Sequence, residues 1–138
     1  MQGYIIPFGY AAGGVSALER LMEDERAYLV DIRLSPRSRW QAFNKQALQA
    51  RWRSRYLHLP ELGNVHYNNG HPIKIANPDQ GIARLVNGLS QGYTIVLMCG
   101  CVEYESCHRR TVVHLVQEVM PQARVEMPEV KPRERRRP

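Results

Sequence analysis

The run Thr94-Ile-Val-Leu-Met-Cys99 constrains the fold more than any other part of the chain. It is apolar and β-branched with no polar alternation, so as a strand it must be covered on both faces. A short polar loop follows, and a second apolar pattern opens directly after Cys107-His108-Arg109. Strand, loop and helix start form the junction where parallel α/β sheets bind ligands. All three cysteines of the chain fall within this stretch.

The rest of the sequence supplies partners for such a strand. Tyr4 to Phe8, Ala27 to Arg33 and Tyr56 to Leu59 read as further strands, and Arg124 to Met127 as a last short one. Helices are expected from a Ser16 cap to about Glu25, from an Asn44 cap to about Arg53, from Asp79 to Ser90, and from about Cys107 to Met120. Gly9 to Gly14, Ser35 to Arg39 and Pro60 to Pro78 read as loops, the last long enough to suggest a functional role. One helix between successive strands gives a single α/β domain over residues 1–128, with a mostly parallel sheet and helices on both faces. Neither a G-x-G-x-x-G fingerprint nor a P-loop lysine follows the first strand.

The charge is uneven. Of a net +6, the segment Lys131 to Pro138 carries +4, and residues 129–138 read as a basic, disordered tail. From Ile32 to Pro60 there is no acid, but there are seven basic residues, with Trp40, Phe43, Trp52 and Tyr56 among them. Basic residues interleaved with aromatics suit a nucleotide or nucleic acid; a solvated helix face over core aromatics gives the same pattern. No apolar run approaches membrane-spanning length, and the start lacks the features of a signal peptide. An odd, clustered set of cysteines suits a reducing cytoplasm and argues against a disulfide framework.

Three chemistries are open to the cysteine stretch. As a metal site, Cys-x-Cys-x5-Cys-His has the right donors for zinc but not the usual two-knuckle spacing. Cys107 and His108, adjacent at a helix start, should also diverge by about 100°. Neither a metal nor a cofactor is therefore expected. As a nucleophile, Cys107 has a helix N-terminus and the neighbours His108, Arg109 and Arg110, all of which favour thiolate. Cys99 ends the strand in a layout resembling rhodaneses and cysteine phosphatases, although their C-x5-R spacing is not met. Packing in the strand end is the plainer role for Cys99. Asp31 and Arg33, two apart on one strand, share a side and make either half of an anion site or a structural ion pair.

The pieces Phe8-Gly9-Tyr10, Leu29-Val30-Asp31-Ile32-Arg33, Ser35-Pro36-Arg37-Ser38-Arg39, Phe43-Asn44-Lys45, Tyr56 to Gly63, and Leu97-Met98-Cys99 through Cys107-His108-Arg109 together resemble family 488 of the domains of unknown function, from Ile5 to about Val125. The chain departs from the commoner pattern at Ala11 and at Gly100-Cys101, where an extra thiol stands in place of a carboxylate. The resemblance implies a Rossmann-like domain with Asp31, Arg33, Arg39, Cys99, Cys107, His108 and Arg109 in one pocket. It implies no reaction.

The expectation is an anion-binding pocket at the strand carboxyl ends that acts on a nucleotide or nucleic acid. Tyr10, Arg33, Arg37, Arg39 and Arg109 are the candidates to bind the anion. Asp31 and His108 are the acid/base candidates, and Cys99 or Cys107 the nucleophile. The alternatives are a non-catalytic nucleic-acid-binding module with structural cysteines and a zinc-holding or redox-sensing adaptor.

Overall fold

The computed structural model describes residues 3–67 and 69–128; the basic tail expected at 129–138 lies outside them. Five parallel strands form one sheet in the order β3-β2-β4-β1-β5: β1 Tyr4–Gly9, β2 Ala27–Asp31, β3 Tyr56–His58, β4 Thr94–Cys99 and β5 Arg124–Val125. The helices are α1 Tyr10–Leu21, α2 Lys45–Trp52, α3 Pro78–Ser90 and α4 His108–Val119. The α/β domain with one covering helix per connection is thus the observed architecture. No helix among the described residues is long and apolar enough to cross a membrane.

Strand alternation divides the core into two layers. Val96 and Met98 of β4 and Leu29 of β2 face Leu18, Phe43, Leu48 and Trp52 from α1, α2 and the turn before α2. Ile95, Leu97 and Cys99 face the other way, toward Leu85 and Leu89 of α3 and Val112, Val113 and Val116 of α4. All six residues of β4 are buried, as its unbroken apolar run requires. Pro7 is tolerated within β1 because of its register. Ile5 accepts a bond from the Glu126 N–H on the β5 side, and Pro7, two residues on, faces the same side beyond the end of β5. A missing N–H costs nothing there.

Several boundaries differ from the sequence reading. Residues expected as a loop after Gly9 begin a helix at Tyr10, and Ser16 lies inside that helix rather than capping it. Gly14, with φ +77, breaks the helix close to where the sequence pattern starts it, and the helix ends at Leu21 rather than near Glu25. β2 stops at Asp31 instead of Arg33, because the Asp31 carboxylate accepts the Arg33 N–H and turns the chain out of the sheet. Asn44 does precede α2, but its side chain accepts the Ser38 N–H and not an N–H of the helix.

The aromatic residues of the acid-free zone are mostly core. Phe43, Trp52 and Tyr56 are buried, and only Trp40 is exposed. Arg55 is held by the carbonyls of Met22, Asp24 and Ala27. Arg51 stacks on Trp52, 3.9 Å from its ring centroid. Of the two readings of this pattern, the covered aromatic face is the one the fold displays.

Candidate functional site

β2 and β4 are neighbours, and the chain leaves them in opposite directions, β2 toward β3 at one edge and β4 across β1 toward β5. Diverging connections open a crevice above the carboxyl ends of two such strands. A cavity of about 680 Å³ occupies that position. Cys99, Cys101, Cys107 and His108 form its floor, and Arg33 and Arg37 stand on one side. Asn64 and Tyr67 come from the long loop after β3, which an antiparallel bridge between Asn64 and Ile75 closes on itself. None of the described residues lining the cavity is an acid.

Arg33 is fixed by a buried network. Asp31 is fully buried and accepts from Arg33 Nε at 2.8 Å, Arg33 Nη2 at 2.6 Å and the Tyr56 hydroxyl at 2.7 Å. Arg33 Nη1 donates to the Tyr10 hydroxyl at 3.4 Å, and the Tyr10 ring stacks on Phe43. His58 Nε2 donates to the Arg33 carbonyl at 2.7 Å. Burial alone lowers the Arg33 pKa, but the bond to Asp31 and its charge outweigh that and raise it. Burial and the Asp31 charge push the Tyr56 phenol above its ordinary value.

Both Asp31 oxygens are thus engaged, and Asp31 does not line the cavity. It holds Arg33 in place, the structural alternative of the sequence reading, and its oxygens are not presented to the cavity. Tyr10 lies beneath Arg33 and outside the described cavity lining. Arg39 belongs to a neighbouring surface groove with Arg37 and Lys45. Arg109 is buried and does not line the cavity; its Nη2 donates to the Cys101 carbonyl at 3.3 Å and its Nε to Cys107 Sγ at 3.4 Å. Arg109 therefore ties the Cys101 loop to α4. Gly9 allows that loop to come close: a Cβ there would stand 2.1 Å from the Cys101 carbonyl oxygen.

The cluster on the floor is tighter than the spacing suggests. The three Sγ atoms and a ring nitrogen of His108 lie within 4.8 Å of one another. Two helical neighbours would diverge, as the sequence reading expects of Cys107 and His108. Cys107 is instead the N-cap of α4, with extended backbone angles (φ −100, ψ 151), and this turns its side chain back toward its neighbour. Cys107 Sγ accepts the Arg109 N–H at 3.4 Å and lies 2.9 Å from Cys99 Sγ. Hydrogen bonds from Cys101 and Cys99 lower the Cys107 pKa against the effect of burial, with help from His108 and the Arg109 N–H. Bonds to Cys101 and Cys107, with burial, raise that of Cys99.

His108 Nε2 donates to the Ile32 carbonyl at 2.9 Å, leaving Nδ1 toward Cys107. Burial works against protonation of His108, but bonds to Cys101, Cys107 and the Ile32 carbonyl raise its pKa to about 9. All three cysteines are free, Cys101 exposed and the other two buried.

Sequence reasoning missed Ser35, Asn64, Tyr67 and Ser106 as lining residues and Tyr56 and His58 as supports. The length of the loop after β3 was the one available signal for Asn64 and Tyr67.

The family model "Domain of unknown function DUF488" matches residues 15–69, which supports the resemblance read from the sequence over that stretch. The match includes Asp31, Arg33, Arg37, Asn64 and Tyr67; the thiol cluster lies outside it. No curated protein and no solved structure matches the chain.

Proposed function

We propose that this protein binds a nucleotide in the cavity above β2 and β4, with the phosphate held by arginine. The observation that carries the reading is a nucleotide-sized cavity lined by Arg33, Arg37 and His108, with no acid among its described lining residues. Its volume falls within the range of small-molecule sites. Arg33 is oriented before any ligand arrives, because Asp31 fixes Nε and Nη2 and leaves Nη1 with only the long bond to Tyr10. A pre-set guanidinium loses little entropy on meeting a phosphate. Arg37 is exposed and supplies a second, adaptable contact, and Ser35 and Asn64 add hydrogen-bonding groups. Tyr67, 64% exposed at the rim, offers a ring for a base to stack on. The burial of three of the four aromatics near the basic residues weighs against the non-catalytic nucleic-acid module.

Calorimetric titration with nucleoside mono-, di- and triphosphates and with inorganic phosphate tests this. One nucleotide should bind with unit stoichiometry, more weakly as salt rises. Arg37→Ala should weaken it on the order of tenfold or more, the worth of a hydrogen bond to a charged group. Failure of every nucleotide to bind, or an Arg37→Ala variant that binds as wild type does, would refute the reading.

A further inference from the structure

The floor of the cavity supports a separate inference that holds whether or not a nucleotide binds above it. We propose that Cys99, Cys101, Cys107 and His108 hold one zinc ion in tetrahedral coordination by three thiolates and one imidazole. Four donor atoms of the types zinc prefers converge within 4.8 Å, from a strand end, a loop and a helix cap. With zinc–sulfur bonds of about 2.3 Å, tetrahedral sulfurs stand roughly 3.8 Å apart. The Cys99–Cys107 pair, now at 2.9 Å, would open slightly and the widest pairs would draw in.

Two features outside the four donors fit a metal better than a packed group of thiols. Zinc-bound histidine typically donates its other ring N–H to a carboxylate or a carbonyl, which fixes the tautomer. His108 does so to the Ile32 carbonyl, so Nδ1 is the ring nitrogen directed at the sulfurs, and it releases its proton to solvent when it takes up the ion. Three thiolates around Zn²⁺ also leave one negative charge. The buried Arg109 lies against it, with Nε 3.4 Å from Cys107 Sγ and its peptide N–H at the same distance. Thiolate-rich donors select zinc over magnesium or calcium, and a tetrahedral set of sulfurs and one nitrogen, with no fourth cysteine, argues against an iron–sulfur cluster. Exposed Cys101, at the cavity, gives the ion its route in. On binding, any thiol protons pass to solvent.

The test uses the full chain, purified under reductant without chelator. Metal analysis should find close to one zinc per chain. After zinc is removed, Co²⁺ should give the intense ligand-field bands of tetrahedral cobalt and a thiolate-to-cobalt charge-transfer band, both lost on adding one equivalent of zinc. Cys101→Ser, at an exposed position, should keep its circular dichroism. It should weaken zinc binding by more than the roughly 10- to 100-fold effect of losing an outer-shell partner. In wild type, zinc should protect all three thiols from alkylation, a readout that does not depend on any variant folding. Reduced protein free of zinc with a six-coordinate cobalt spectrum would overturn the proposal. Unprotected thiols, or a Cys101→Ser variant that binds zinc as wild type does, would do the same. Loss of nucleotide binding would leave the cobalt spectrum unchanged, so the two readings fail separately.

Discussion

Asp31→Asn is the sharpest test of how the arginine at the cavity is held. The carboxylate is fully buried and accepts four hydrogen bonds: Arg33 N–H at 3.1 Å, Nε at 2.8 Å, Nη2 at 2.6 Å and the Tyr56 hydroxyl at 2.7 Å. The Arg33 side chain is only 9% exposed, so solvent cannot take over its charge. Asparagine keeps one acceptor but turns a donor toward groups that are themselves donors. Breaking a buried pair from one side costs about 3–5 kcal/mol, because the remaining charge is left uncompensated. For a small domain losing about 2 kcal/mol per molar urea, the unfolding midpoint should fall by roughly 2 M. Urea unfolding followed by tryptophan fluorescence reads this, with the metal content of both proteins matched. Replacing both partners, as Asp31→Leu with Arg33→Met, should cost less than Asp31→Asn alone, since no orphaned charge remains. A loss below about 1 kcal/mol for Asp31→Asn, typical of an exposed pair, or a double variant worse than the single one, would show that the network does not hold the arginine as described.

Two further outcomes follow from close contacts. Gly9→Ala places a Cβ 2.1 Å from the Cys101 carbonyl oxygen and 2.9 Å from Arg109 Nη1, so the Cys101 loop must withdraw. The expected cost is about 1–3 kcal/mol, with faster alkylation of Cys101; an unchanged melting temperature and alkylation rate would contradict the packing. Tyr56 holds its proton more tightly folded than unfolded, because burial and the Asp31 charge raise its pKa. Its share of stability is therefore complete below about pH 10 and declines as pH rises beyond it, by up to about 1.4 kcal/mol per unit. Tyr56→Phe should flatten that alkaline slope in denaturation measurements, and an identical slope in the variant would exclude Tyr56 as its source.

Much of the architecture was legible because periodicity and burial coincide. The continuous apolar run of β4 required two covered faces, and the stripe Ile82, Leu85, Val86, Leu89 matches the inward side of α3. Local conformations set by tertiary contact were not legible. Gly13-Gly14 resembles a loop in sequence, yet only Gly14 leaves helical angles, and the first turn of α1 forms before it. Cys107 and His108 converge because an N-cap residue keeps extended angles, a property of where the helix starts and not of spacing. The arginines and aromatics between Ile32 and Pro60 looked like one surface. Burial of Phe43, Trp52 and Tyr56 and the carbonyl partners of Arg55 divide them, and composition carries no record of that.

The strand lengths bear on how the molecule meets its own kind. The sheet tapers outward from its six-residue strands β1 and β4 to three residues at one margin and two at the other. An open β margin is a template for unwanted pairing in proportion to the length of ladder it offers. Here each margin offers so little that joining two sheets side by side would form few main-chain bonds. Among the described residues, neither margin therefore offers a ladder long enough to favour side-by-side pairing of two copies.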